Sequence, residues 1–436
     1  MSITKPTEPE RRAVVILRHG ETDFKASGVY QGASDAPTLT ELGRLQSESL
    51  SAYVANMHVK RVFCSPLGRA RETLSILGPA LPGSPACEVR EELTEVDHPQ
   101  WRGRKKSEIL ERDGASLHLW RTQPEVFTDI DGRSILASLY ARARSLAKEL
   151  VDSPGVSLVV GHDHINRALM SILLNWPLGT HKGLPQSLSG LSLLNATPAD
   201  DGFELRASNL HSREFGSSDS DSGIVARLIL VRHGVTAANR AKVYQGPIWD
   251  PPLEAEGVDQ MYKLAGMLDS LAPKAVISSR LRRAVQSAQL VPGIDTMPRI
   301  VDDRLQEFHY GRWSGLTPVE VGERFPDEVT ALYRDVAENP IVGGEPLTNL
   351  FARIQSFLSD AWPLASGGSV VVVAHDVVIR ALITLSLRLP RRCFWQVPIE
   401  NGAMTELALT RSNFVQLRRH NVLPGRLEER HDEQFL

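Results

Sequence analysis

Cysteine is scarce in this chain of 436 residues: only Cys64, Cys87 and Cys393 occur. They stand far apart without metal-type spacing, which argues against a disulfide framework and for a reducing compartment. Net charge is also lacking. Lys plus Arg number 49 against 52 Asp plus Glu, a formal −3. No overall basic excess points to nucleic acid or an anionic membrane, and neither is expected as a partner. Long apolar runs are missing too; stretches such as Val370 to Ala374 are far too short to span a bilayer. Met1 to Arg12 is polar and charged and reads as a disordered tail, not a secretory signal. The cytoplasm is the expected location. What is present, 42% hydrophobic and 23% charged residues, is a globular composition at a length that suits two domains.

The chain repeats itself. Val14-Val15-Ile16-Leu17-Arg18-His19-Gly20-Glu21-Thr22 returns as Leu228-Ile229-Leu230-Val231-Arg232-His233-Gly234-Val235-Thr236. Tyr30-Gln31-Gly32 returns as Tyr244-Gln245-Gly246, and Ser65-Pro66-Leu67-Gly68-Arg69-Ala70 as Ser279-Arg280-Leu281-Arg282-Arg283-Ala284. Leu93-Thr94-Glu95 with Trp101 and Gly103 is matched by Leu305-Gln306-Glu307 with Trp313 and Gly315. Val159-Val160-Gly161-His162-Asp163 is matched by Val372-Val373-Ala374-His375-Asp376, and Arg167 by Arg380. Order and spacing are both kept over a domain-sized period, so this is a duplication and not a solenoid. Ser212 to Gly223 has a flexible linker composition. The expected division is a tail at 1–12, a first domain at 13–215, a linker at 216–223 and a second domain at 224–436. The two halves could pack as a pseudo-dimer.

Short β-branched apolar runs predict buried strands at Val14–Leu17, Arg61–Cys64, Ser157–Val160, Arg227–Val231, Ala275–Ile277 and Val370–Val373. Helical spacing of Val258, Met261, Leu264, Ala265, Leu268 and Leu271 predicts a helix over Leu253–Leu271. Thr40 is an expected N-cap for a similar helix through Leu42, Leu45 and Tyr53, and Ser65 and Ser279 are expected caps for the helices carrying Arg69 and Arg283. Strands alternating with helices predict an α/β fold in each half, a mostly parallel sheet flanked by helices. In such sheets ligands sit beyond the carboxyl ends of strands, where Arg18-His19, His162, Arg232-His233 and His375 all fall.

Four potential cations and one carboxylate per repeat suit a phosphate ester. Arginine forks match phosphate oxygens, and a neutral imidazole nitrogen can be the nucleophile. Thr22 and Thr236 can donate a further hydrogen bond, and Gly20 would let the backbone approach the ligand closely. Glu95 or Glu307 is the candidate acid and base. The recurring partners of His162-Asp163 and His375-Asp376 are arginines, which repel a cation, so no metal and no cofactor is expected. The run from Trp101 to Lys106 reads equally as an exposed helix start or as a hold on an anionic substrate. Arg282 is expected at the surface, and His58, His118, His181, His211 and His420, which have no repeat partner, are expected to be structural or exposed.

The pattern Arg-His-Gly-x-Thr, Ser-x-Leu-x-Arg-Ala, Leu-x-Glu with a downstream Trp-x-Gly, then an apolar strand and His resembles the histidine phosphatase (phosphoglycerate-mutase-like) superfamily, in both halves over nearly their full length. The resemblance implies two tandem three-layer α/β domains. It implies His19 and His233 as phosphorylated nucleophiles, and Arg18, Arg69 and His162, with Arg232, Arg283 and His375, as phosphate pockets. Glu95 and Glu307 would be proton donors. The family's Asn after the first motif is met by Asn239 but is Lys25 in the first half. Its Gly-Gly-Glu segment stands at Gly343-Gly344-Glu345, against Asp131-Gly132-Arg133. Pro99 replaces the glycine kept as Gly311, and both halves carry Asp where many relatives have Gly after the second His. The second half is therefore the safer expectation for catalysis, with the first open as active, altered in substrate or partly degenerate. The expected activity is hydrolysis of a small phosphate monoester. The rivals are a phosphomutase, which the short stretches from His to Glu disfavour, and a phosphate-ligand sensor with one degenerate half.

Overall fold

The computed structural model describes residues 12–197, 202–210, 223–293, 295–334 and 341–424. Nearly all of the expected tail and linker, and His211, lie outside them. The chain divides into two compact units, one from each half. In the first, β1 (Ala13–Arg18), β2 (Val59–Cys64), β3 (Cys87–Val89), β4 (Val156–Gly161), β5 (Leu191–Ala196) and β6 (Phe203–Leu210) form a sheet in the order β3-β2-β4-β1-β5-β6. In the second, β7 (Ile224–Arg232), β8 (Pro273–Ser278), β9 (Arg299–Val301), β10 (Ser369–Ala374), β11 (Met404–Thr410) and β12 (Val415–Val422) repeat it as β9-β8-β10-β7-β11-β12. The first four strands of each sheet run parallel, the fifth pairs antiparallel with the fourth, and the sixth antiparallel with the fifth. Every predicted strand is present. Among the described residues no helix is long and apolar enough to cross a membrane. Cys64 and Cys87, distant in sequence, fall on neighbouring strands as free thiols.

Strands β1, β4 and β10 are buried along their whole length, as continuous apolar runs require when helices cover both faces. The expected helix at Leu253–Leu271 spans Ala255–Asp269. Its Met261, Leu264 and Leu268 pack with Ile229 and Val231 of β7, Val371 and Val373 of β10, and Ala284 and Ala288 of the Arg282–Gln289 helix. Each such side chain stabilises the fold by roughly 2 kcal/mol.

The corresponding segment of the first unit differs from expectation. Thr40 does cap, accepting from the Gly43 N–H, but the helix covers only Glu41–Glu48 and a second one follows at Ser51–Ala55. Leu42 and Leu45 are exposed; the buried face is Gly43, Gln46 and Ser47. The reason is a backbone-to-backbone contact. A Cβ on Gly43 would lie 2.1 Å from the Glu21 carbonyl oxygen, and one on Gly20 would lie 2.3 Å from the Gly43 carbonyl oxygen. Gly234 and Gly257 make the same reciprocal contact. Gly20 is thus required by helix packing. Gly234→Ala is expected to lower the stability of the second unit by about 2–3 kcal/mol, read as a drop in its thermal midpoint, because backbone must move. Gly266→Ala in the Ala255–Asp269 helix, with nothing within 4 Å, is expected to raise it slightly.

Candidate active site

Strand register brings the distant motifs together. Arg18 pairs with Gly161 and Cys64 with Val160, so three adjacent parallel strands end level and release His19, His162 and Ser65 side by side. Arg232 pairs with Ala374 and Ser278 with Val373, releasing His233, His375 and Ser279 in the same way. The rings of His19 and His162 lie 5.1 Å apart, as do those of His233 and His375. His19 Nδ1 donates to the Gly20 carbonyl (2.7 Å) and His233 Nδ1 to that of Gly234 (2.8 Å). That fixes the tautomer and leaves the lone pair on Nε2. Arg69 Nε approaches His19 Nε2 at 3.3 Å, and Arg283 Nε approaches His233 Nε2 at 3.2 Å. Burial first, then the neighbouring Arg69 or Arg283, holds His19 and His233 well below the usual imidazole range, so both rings are neutral. His162 and His375 are neutral for the same reasons.

Arg69 and Arg283 are almost wholly buried on the helices Gly68–Leu77 and Arg282–Gln289, while Arg282 is exposed as expected. Carbonyls aim their forks. Arg69 donates to Ser34 (2.7 Å) and Gly32 (2.9 Å), and Arg283 to Gly246 (3.0 Å), Trp249 (3.4 Å) and the Asp250 carboxylate (3.2 Å). The two acids differ. Glu307 is buried and accepts from the Phe308 N–H (2.8 Å); burial raises its pKa to about 7. Glu95 is half-buried and accepts from the N–H groups of both Val96 (2.8 Å) and His164 (3.1 Å).

The model of the histidine phosphatase superfamily (branch 1) matches residues 14–211 and again 228–422. The chain belongs to that superfamily. It is 26% identical to 2-carboxy-D-arabinitol-1-phosphatase of Triticum aestivum over 92% of this chain and 83% of that one. It is 34% identical to glucosyl-3-phosphoglycerate phosphatase of Mycolicibacterium vanbaalenii over 38% of this chain and 76% of that one. A solved Escherichia coli putative alpha-ribazole-5'-P phosphatase is similar at 25% identity and a TM-score of 0.42, over 45% of this chain and 97% of that one. As a histidine phosphatase the chain is a phosphoric monoester hydrolase acting on small phosphate esters.

Several residues of this histidine phosphatase site were not legible as such. Ser65 and Ser279 are not the helix caps; Leu67 and Leu281 hold those positions. Their hydroxyls instead meet Nε2 of His162 (2.7 Å) and His375 (2.9 Å). Nδ1 of each second histidine is buried and unpartnered among the described residues. With the serine donating to Nε2, Nδ1 carries the proton and is a donor for an anion.

Thr22 and Thr236 spend their hydroxyl protons within the loop, on Gln31 (2.9 Å) and Asn239 (2.8 Å), and cap the short helices that follow. They position the loop and do not point a free donor at phosphate. Asn239 completes a capping box with Thr236 through its Oδ1, which leaves its amide N–H groups for an anion. In the run from Trp101 to Lys106, Trp101 is buried on Asp113 (3.2 Å) and Arg102 pairs with Asp97, while Lys105 and Lys106 are exposed where the helix begins.

Asp163 and Asp376 do more than shape a wall. Each forms a fork pair with the arginine one turn on, Arg167 (2.7 Å) or Arg380 (3.0 Å). Each also accepts a backbone N–H, from Gln186 (3.1 Å) or Ile399, whose own carbonyl accepts from Arg18 or Arg232. The aspartate therefore fixes the peptide that aims the first arginine. Asp376→Ala is expected to raise KM of the second unit about tenfold with a smaller change in kcat, and Asp376→Asn, which still accepts the Ile399 N–H, to restore much of it.

The missing glycines of the first half are also explained. Gly311 has φ +49°, and a Cβ there would lie 2.3 Å from the Val342 oxygen and 2.5 Å from the Gly344 nitrogen. Glu345 in turn clamps Arg353 (2.7 and 2.9 Å). Gly311 and Gly343-Gly344-Glu345 are one scaffold, and proline cannot adopt the positive φ. The first half lacks both together, while its cage keeps the second half's distances.

Among the unassigned histidines, His58 and His118 are exposed, and His420 is buried against Thr405 (3.2 Å). His181 is buried on His164 (3.0 Å). His98, also unforeseen, packs against Trp101, Trp120 and Phe127; burial lowers its pKa to about 3, a neutral ring.

Proposed function

We propose that both repeats hydrolyse small phosphate monoesters by double displacement through His19 and His233, with the second repeat the stronger catalyst. The observation that supports this most is the twice-built cage: a tautomer-locked neutral imidazole, an arginine on its free nitrogen, and a second imidazole 5.1 Å away. In the second repeat His233 Nε2 attacks phosphorus. Arg232, Arg283 and His375 bind the oxygens on which charge gathers, with Asn239 as a further donor. Glu307, protonated up to about pH 7, gives its proton to the leaving oxygen. The resulting carboxylate then takes a proton from the water that attacks the phosphohistidine, and inorganic phosphate leaves. Arg18, Arg69, His162 and Glu95 have the same roles around His19. The intact first cage speaks against a degenerate sensor half. We place the enzyme in the cytoplasm, in keeping with three free thiols.

The names of the wheat and mycolicibacterial relatives put hydroxylated, acidic phosphate esters first among substrates to try. The test is inorganic phosphate release by the full chain from a panel of sugar, polyol, carboxylated and aryl phosphates. Release from at least one, with kcat/KM on the order of 10⁴ M⁻¹s⁻¹ or above, is expected. No release from any member would overturn the reading.

A further inference from the structure

The phosphate cages are nearly identical, but the groups beside them are not. Ser34 and Trp249 occupy one station: their carbonyls receive Nη1 of Arg69 (2.7 Å) and Arg283 (3.4 Å). In the first repeat that station is a half-buried serine next to Ala33. In the second it is a tryptophan 45% exposed, next to Ile248 at 70%. Among the described residues the Trp249 ring stacks on no other aromatic ring. The residue whose carbonyl receives the phosphate-binding Arg283 thus carries an exposed indole, a flat apolar face that a planar ligand group can cover.

The acid side differs in the same sense. The backbone N–H of His164 donates to Glu95 (3.1 Å), and its ring Nδ1 meets His181 Nε2 (3.0 Å). His181 Nδ1 continues to the Tyr140 hydroxyl (3.4 Å). The corresponding stations of the second repeat are Val377, Phe394 and Phe351, the two phenyl rings 5.4 Å apart. A hydrogen-bonded chain in one repeat is hydrocarbon in the other.

Resting on the hydrolase reading above, we infer that the two repeats divide phosphate esters by leaving group: the second takes flat aromatic ones against Trp249, the first hydroxylated ones against Ser34 and His164. An indole favours flat π-faced groups by stacking, whatever their substituents. A site built to hydrogen-bond hydroxyl groups rejects partners that leave it unpaired.

The experiment uses the full chain in two backgrounds, His19→Ala to read the second repeat and His233→Ala to read the first. Each is assayed with 1-naphthyl phosphate and glycerol 1-phosphate. The ratio of kcat/KM for the two esters is compared between backgrounds, so the intrinsic reactivity of each ester cancels. The expected ratio is at least tenfold higher in the second repeat. Trp249→Ser is expected to lower that ratio about tenfold and Trp249→Phe to keep most of it; His164→Val is expected to raise the first repeat's ratio about tenfold. Turnover with equal ratios, or a ratio unmoved by Trp249→Ser, overturns this inference and leaves the hydrolase reading standing. No release of phosphate from either ester in both backgrounds and in the parent chain would count against the hydrolase reading itself and take this one with it.

Discussion

His233→Ala is expected to cut kcat/KM of the second repeat by at least about a thousandfold, because the attacking lone pair is lost and neither arginine can replace it. The measurement is made in a His19→Ala background, so that the first cage contributes nothing. The fold should tolerate the change. The His233 ring holds two bonds, from Nδ1 to the Gly234 carbonyl and at Nε2 from Arg283, whose fork keeps Gly246 and Asp250, and the backbone N–H of residue 233 stays on the Ala374 carbonyl (3.1 Å). Near-parental turnover in the double variant would rule out these histidines as nucleophiles.

Glu307→Gln should cost about 10²–10⁴-fold with alkyl phosphates, whose leaving oxygen needs a proton. A nitrophenyl ester leaves without one, so its first step should survive while water activation fails. A burst of nitrophenol followed by slow turnover is the expected trace; equal slowing of both phases would contradict the assignment. In the parent, kcat/KM of the second repeat should decline on the alkaline side as Glu307 loses its proton near pH 7.

Stability carries the same signature. The Glu307 pKa is raised by burial from 4.5 to about 7, so the native state binds the extra proton between those values and stability falls as pH rises through the window. Gln removes that burden. The variant should be more stable than the parent at pH 8, by roughly 3 kcal/mol at most, and should lose the advantage below pH 4.5. A pH-independent difference in thermal midpoint would contradict a buried, proton-holding carboxylate.

How far the sequence carried the reading depends on the range of the interaction. The strands were legible because β-branched runs such as Val370–Val373 need no partner to be recognised. The cage was legible because its residue types recur in order in both halves. Contacts between backbones were not. Gly20 and Gly43 are each ordinary turn or helix glycines until the fold brings them together, and only then does the exposure of Leu42 and Leu45 make sense. Ser65 has the residue type and place of a helix cap; its bond to His162 depends on strands β2 and β4 ending level. Asp163 acts through the Gln186 peptide, and a backbone group leaves no mark in a motif. Glu95 and Glu307 are identical letters, and only burial and the His164 N–H tell them apart.

The most direct measurement uses an ester whose phosphorus is made chiral with oxygen isotopes, hydrolysed in isotopically labelled water by the His19→Ala chain. Two in-line displacements, first by His233 and then by water, should return inorganic phosphate with net retention of configuration. Net inversion would mean that water attacks the ester directly and that no phosphohistidine forms.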